Sequence, residues 1–204
     1  DLYAHPPETG GIMGLERKPG DVIVGTLAGL RPVKHLPRLI RAVAPLPPHV
    51  KLVIVGEGPE RDAILAEAKR LGMTDRLVMP GFLPAPHRYV GHFDIFALSS
   101  DSEQFPISLV EAMAAGLPVV STDVGDVRSI VSTPNLPFIV PATDEAALSS
   151  ALGLLCDDLA LRRTLGSANR ALAGQDYGED RMIARYAALY EATMARPGAL
   201  SGFR

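Results

Sequence analysis

The chain has one cysteine in 204 residues, Cys156, so it can form no internal disulfide and fits a reducing compartment. Cys156 reads as a small core residue. No apolar run reaches the length of ~20 residues that a membrane span needs, and no signal peptide is visible at the start. A cytoplasmic location is expected. Basic residues are in no excess: 20 Lys and Arg stand against 23 Asp and Glu, for a net charge of −3. That balance argues against a broad nucleic-acid footprint. The five histidines (His5, His35, His49, His87, His92) lack metal-ligand spacing. His87 and His92 have no third partner nearby in sequence and read as surface or loop residues, so no bound metal is expected. Repeats and low-complexity segments are also missing. The remainder is ordinary, with 47% hydrophobic and 21% charged residues, values that exclude a disordered chain. The length suits one good-sized domain, or at most two small ones.

Strand-like and helix-like segments alternate. Residues 1–20 are rich in Gly, Pro and charge and read as a loop. Buried strands are predicted over 22–27, 50–55, 76–79, 93–99, 119–121 and 138–140. Helices are predicted over 36–43 and 60–71, with two or three more closing the chain, the last over about 178–194. Continuous β-branched runs between amphipathic helices imply a parallel sheet covered on both faces, a doubly wound Rossmann-like α/β fold. In such sheets ligands sit beyond the carboxyl ends of the strands, where the strand order reverses. The polar loops after these strands carry Gly29 to His35, Gly56 to Pro59, Gly81-Phe82 and Ser99 to Phe105. In the final helix Met182, Tyr186, Leu189 and Tyr190 fall on one side, which reads as a packing face, part of it expected to be bare where the last helix crosses to another domain.

The most informative run is Ser102-Glu103-Gln104-Phe105-Pro106-Ile107-Ser108-Leu109-Val110-Glu111-Ala112-Met113-Ala114-Ala115-Gly116-Leu117-Pro118-Val119-Val120. A polar loop presents Glu103, and a helix is predicted to start near Pro106, a residue type that suits a first helical position. Gly116 and Pro118 stop that helix. Glu111 is its only charge, and a lone carboxylate on a short apolar helix is costly unless something hydrogen-bonds it. The helix start aims free N–H groups and the positive end of its dipole at whatever lies by Ile107 and Ser108, which suits a phosphate. Taken singly, Glu103 reads equally as a solvated loop residue, and Glu111 as the partner of a basic neighbour.

As a whole, Glu-x7-Glu followed by Ala-Met-Ala-Ala-Gly-Leu-Pro-Val-Val resembles the nucleotide-sugar-binding signature of retaining glycosyltransferases with the GT-B fold (glycosyltransferase family 4, group 1). The resemblance covers about residues 20–195 and matches only the C-terminal, donor-binding half of that family. It implies that Glu103 contacts the donor sugar, that Glu111 binds the ribose hydroxyls, and that the helix-start amides near Ile107 and Ser108 hold the diphosphate, with Phe105, Pro106 and Leu109 also lining the donor site. In Gly29-Leu30-Arg31-Pro32-Val33-Lys34 the family places an Arg, then Leu, then a Lys, both cations on the diphosphate. Lys34 fits. Gly29 stands where the Arg is expected, with Arg31 two residues on as a stand-in. Gly56 and Gly58 resemble a turn lining the nucleotide pocket, and Gly81 and Phe82 the place where the base is met by backbone. Gly56-Glu57-Gly58-Pro59 lacks the third glycine of a dinucleotide fingerprint.

The implied arrangement is a linker remnant over 1–20, a nucleotide-sugar-binding domain over 21–177, and a C-terminal helix and tail over 178–204. Asp1-Leu2-Tyr3 resembles the tail of the segment leading out of an N-terminal acceptor domain. The implied chemistry is sugar transfer from a nucleoside-diphosphate sugar to an acceptor hydroxyl with retention. Glu103 and Lys34 act at the reacting centre, with no metal and no cofactor. The resemblance leaves room for peripheral membrane association of the full-length enzyme through the acceptor domain. A non-catalytic nucleotide-binding or regulatory module, favoured by Gly29, and a sugar-nucleotide epimerase of the same fold stay open as alternatives.

Overall fold

A computed structural model describes residues 2–4 and 11–194 of the chain. Asp1, His5 and the tail beyond Met194 lie outside the described residues. Six parallel strands form one sheet in the order β3-β2-β1-β4-β5-β6. They are β1 (Val22–Leu27), β2 (Val50–Val55), β3 (Leu77–Gly81), β4 (Ile95–Leu98), β5 (Val119–Thr122) and β6 (Ile139–Val140). β1 runs in register with β2 from Val22 opposite Val50 to Leu27 opposite Val55. β4 pairs with β1 on its other side, so the order reverses between β1 and β4.

Period-two alternation divides the strands between two cores. Val22, Val24, Leu52, Ile54, Ile95 and Val120 face α1 (Leu36–Val43), α2 (Arg61–Arg70) and α5 (Glu145–Asp157). Ile23, Val53, Phe96 and Val119 face α3 (Ile107–Ala114), α4 (Val127–Ile130) and α6 (Leu159–Asp176). Helices cover both faces, as the continuous apolar strands require. Cys156 is buried in the first core, and that burial raises its thiol pKa to about 11.

Several boundaries differ from the sequence reading for physical reasons. β3 continues through Pro80 and Gly81 instead of stopping before them, and it can because it is an edge strand with one unpaired side. The strand read over 93–99 shortens to Ile95–Leu98, and the Phe93 ring instead fills the space over Gly25, where a Cβ would lie 2.2 Å from it. Pro106 precedes α3 with extended backbone (φ −71°, ψ 103°) and is not its first helical residue. Three helices close the chain, the last being α7 (Glu179–Met194), and no residue of α7 is buried. Met182, Tyr186, Leu189 and Tyr190 are therefore exposed, so the whole of this face, and not only the expected part of it, is bare among the described residues.

Candidate nucleotide-sugar site

The loops after β1 and β4 meet where the strand order reverses, and they are tied together along their length. Asp101 N–H donates to Val33 O at 2.8 Å, and Ser99 Oγ lies 3.0 Å from Lys34 O and 3.1 Å from His35 O. Arg38, buried on α1, donates to Ser99 O at 3.0 Å and pairs with Asp101 at 2.8 Å. Burial acts against the Asp101 carboxylate, but hydrogen bonds from His35 and Arg38 outweigh it and hold its pKa below the ordinary value. His35 has φ 43°, left-handed for a non-glycine residue, and carries the chain from the turn Pro32–Lys34 into α1. The result is a stiff frame with Lys34 at its tip.

Lys34 Nζ donates to both oxygens of Glu103, at 2.6 and 2.9 Å. Ser100 Oγ adds a 2.6 Å bond to Glu103 Oε1, and the Glu103 side chain is 8% exposed. The Glu103 loop is supported from below by Gly125. A Cβ there would stand 2.1 Å from Glu103 O and 2.8 Å from Gln104 O, and its φ of 53° also favours glycine. Asp126 N–H then donates to Gln104 O at 3.0 Å. The two residues expected at the reacting centre are thus brought into direct contact.

A cavity of about 440 Å³ is bounded by Gly29 and Gly56 on one side and by Ser108 and Glu111 on the other. Leu27, Val55, Leu83, Pro84, Pro86 and Tyr89 give it an apolar lining, and Phe82 is at its edge. Its floor requires glycine: a Cβ at Gly56 would lie 1.9 Å from Ala28 O, and one at Gly58 2.4 Å from Leu30 O. Gly56 lines the cavity, while Gly58 serves the loop packing behind it. Gly81 turns with φ 89°, so that Phe82 N–H reaches Glu57 Oε1 at 3.4 Å.

α3 opens onto this cavity with no side chain capping it. The N–H groups of Ile107 and Ser108 start the helix and have no intrahelical acceptor. The Leu109 N–H is taken by Pro106 O at 3.1 Å, and its side chain is buried in the core, so Leu109 faces away from the crevice. Ile107 is exposed, and the Phe105 ring meets Tyr177 edge to face at 5.8 Å. Arg31 is exposed, with Nε 3.7 Å from where a Cβ on Gly29 would stand, so its guanidinium covers the position where the family expects an Arg.

Glu111 is half-buried, and burial raises its pKa above the ordinary carboxylate value, opposed by a hydrogen bond from Tyr3 and by the charge of His87. The Tyr3 hydroxyl donates to Glu111 Oε1 at 2.9 Å. Sequence reasoning gave Tyr3, Ser100 and Gly125 no role in the site. Tyr3 lies 108 positions from Glu111 and gave no local signal. His87 and His92, read as surface or loop residues, sit half-buried in short turns between β3 and β4. Among the described residues no His, Cys, Asp and Glu cluster could hold a metal ion, and no helix is long and apolar enough to cross a membrane.

The family model for glycosyl transferases group 1 matches residues 14–172. The chain is 26% identical over 166 residues to N-acetyl-alpha-D-glucosaminyl L-malate synthase of Bacillus anthracis, covering 80% of this chain and 44% of that one. It is 31% identical over 203 residues to D-inositol 3-phosphate glycosyltransferase of Nocardia farcinica, covering 90% and 44%. The chain thus spans under half the length of these relatives. Among solved structures it superimposes on the Anabaena protein HepE in complex with UDP with a TM-score of 0.80 and 26% identity, over 85% of this chain and 49% of that one. With a family match over most of its length and the same GT-B Rossmann-like sheet, the chain belongs to the group 1 glycosyl transferases.

Proposed function

We propose that this domain binds a nucleoside-diphosphate sugar and forms the donor half of a retaining glycosyltransferase. The base lies in the 440 Å³ cavity, against main chain at Phe82, with Gly81 turning the chain into that position. Glu111 accepts from the ribose hydroxyls. Lys34, Arg31 and the amides of Ile107 and Ser108 take the diphosphate, and Glu103 orients the sugar. Phosphate charge is met by two cations and an uncapped helix N-terminus, an arrangement suited to binding without a divalent metal. The observation that carries this reading is the Lys34–Glu103 pair, held at 2.6 Å at the point where the strand order reverses, next to that helix start.

In the proposed reaction the bond between the sugar C1 and the diphosphate oxygen breaks, the acceptor oxygen bonds to C1 from the same face, and the acceptor hydroxyl's proton passes to the departing diphosphate. Glu103 is not the nucleophile. Its carboxylate is already engaged by Lys34 and Ser100, which suits a residue that positions hydroxyls. The main demand on the protein is to stabilise the departing diphosphate, where one well-aimed contact is worth about 10²–10³ in rate. The acceptor side of the cleft comes from a second domain, consistent with a chain under half the length of its relatives. A non-catalytic nucleotide-binding module is the second reading, favoured by Gly29 in place of an Arg. Joining an acceptor domain ahead of Asp1 and assaying glycoside formation separates the two: donor binding without any transfer would support the module.

A further inference from the structure

Glu111 lines two cavities. One is the cavity assigned above to the base and ribose. The other, about 720 Å³, lies between α3, α6 and the start of α7 and is lined by Tyr3, Val110, Ala114, Arg170 and Tyr177 among others. Of the two cavities Tyr3 borders the second, yet its hydroxyl donates to Glu111 Oε1 at 2.9 Å. Among the described residues it is the only hydrogen-bond donor to Glu111. Tyr3 is itself held in place. Its ring meets His87 edge to face at 6.1 Å, and it packs against the core that contains Tyr89 and Phe93.

We propose that Tyr3 is a positioning residue of the donor site, holding one carboxylate oxygen of Glu111 from the far side and leaving the other for the ribose hydroxyls. The proposal rests on the reading of Glu111 as the ribose acceptor. A carboxylate on a three-bond side chain in a short apolar helix has several rotamers, and fixing one before the ligand arrives removes an ordering cost from binding. The same hydrogen bond favours the ionised carboxylate that burial disfavours. Two ribose hydroxyls need that ionised acceptor, since a protonated carboxyl offers them less.

The charged groups around Glu111 are few on each side. His87 acts on it from the turn Pro86–Arg88, with Tyr89 behind, and Glu57 lies across the donor cavity. Across the second cavity stand Arg170, Glu179, Asp180 and Arg181. All of these are common to the wild-type chain and a Tyr3→Phe variant, so a difference in pH dependence between the two reports the missing hydroxyl.

The experiment is calorimetric titration of the whole chain from pH 5 to 8 with whichever of UDP, GDP and ADP binds it most tightly, and with its 2′-deoxy counterpart. Tyr3→Phe keeps the ring and its contact with His87. It should weaken the ribonucleotide by about tenfold, the usual scale for one hydrogen bond to a charged group, and weaken the 2′-deoxy form less. The pH midpoint below which binding fails should move upward. Glu111→Gln should weaken binding further, and adding Tyr3→Phe to it should change nothing more. If Glu111→Gln weakens binding while Tyr3→Phe leaves affinity and pH midpoint unchanged, Tyr3 only packs and the proposal is overturned. Tighter binding by Tyr3→Phe would overturn it too, making Tyr3 a competitor for the ribose site. No effect from Glu111→Gln, or no binding by any of the three nucleotides, would instead remove the ribose reading itself.

Discussion

Lys34 and Glu103, 69 positions apart in the chain, are joined by hydrogen bonds of 2.6 and 2.9 Å across the gap between the β1 and β4 loops. Each supplies the charge opposite to the other's. The Glu103 side chain is 8% exposed, and among the described residues Ser100 is its one partner besides Lys34. Under the proposed function a diphosphate offers Lys34 a second anion, while sugar hydroxyls give Glu103 donors to replace part of what it loses. The pair therefore ties the two loops together, and under the proposed function it is shared with the ligand.

Lys34→Ala should weaken nucleoside diphosphate binding by about 10–100-fold, the equivalent of one charge-assisted contact at 1.5–3 kcal/mol. It should also lower stability by roughly 1–3 kcal/mol, since a largely buried carboxylate loses its cation. Adding Glu103→Gln should recover most of the stability and none of the affinity. Denaturant unfolding and calorimetry of the single and double variants check this.

Gly125→Ala should damage sugar recognition more than nucleotide recognition. The new Cβ would press on Glu103 O and Gln104 O, so the loop carrying Glu103 must shift, at a cost of about 1–3 kcal/mol. The cavity around Gly56 and Tyr89 lies on other loops and should keep its shape. The expected result is that a nucleotide sugar loses its affinity advantage over the bare diphosphate, with the bare diphosphate bound nearly as before.

Arg31→Ala tests whether a guanidinium two residues along replaces the expected Arg at Gly29. Because Arg31 Nε already lies over Gly29, removal should weaken the diphosphate by about 3–30-fold, less than loss of the more enclosed Lys34. Nucleoside monophosphates, with less charge to meet, should be affected less.

Stability should fall in acid through a node that joins three helices. Arg41 of α1 pairs with Glu67 of α2 at 3.2 Å and with Glu145 of α5 at 2.5 Å. Hydrogen bonds from Arg70 first, and Arg41 next, overcome burial and hold Glu67 at about 2, against an ordinary 4.5. A depressed carboxylate contributes stability that is complete above its unfolded pKa and is lost as the pH falls through the folded one. The Glu67 contribution is thus intact at pH 6 and disappears between about 4.5 and 2. Glu67→Gln should be less stable than wild type at pH 6 and converge with it near pH 2, measured by denaturant unfolding across that range.

Much of the fold was legible because its signals are local. The strands 22–27 and 50–55 and the helix 36–43 match the structure residue for residue, since apolar runs and helical periodicity set them without distant help. Errors came where a neighbour decided the outcome. Pro80 stays in β3 only because that strand lies at the sheet edge, and Phe93 leaves β4 to cover Gly25. In the candidate site, Lys34, Glu103 and Glu111 stood out as charges in apolar or turn contexts, and the structure brings Lys34 to Glu103. That Lys34 and Glu103 touch, that Gly125 supports Glu103 and that Tyr3 holds Glu111 all depend on loops meeting at the end of the sheet, which no sequence window contains. The apolar stripe on α7 was visible, but periodicity says only that a face is apolar, not what covers it.

The most direct test is calorimetric titration of UDP, GDP, ADP and the matching nucleotide sugars into the wild-type chain and Lys34→Ala, with excess chelator throughout. One nucleotide should bind the wild type with chelator present, its sugar conjugate should bind more tightly, and Lys34→Ala should lose at least tenfold in both. Absence of binding by every nucleotide, binding that requires a restored divalent metal, or equal affinity in Lys34→Ala would contradict a metal-free donor site built on the Lys34–Glu103 crevice.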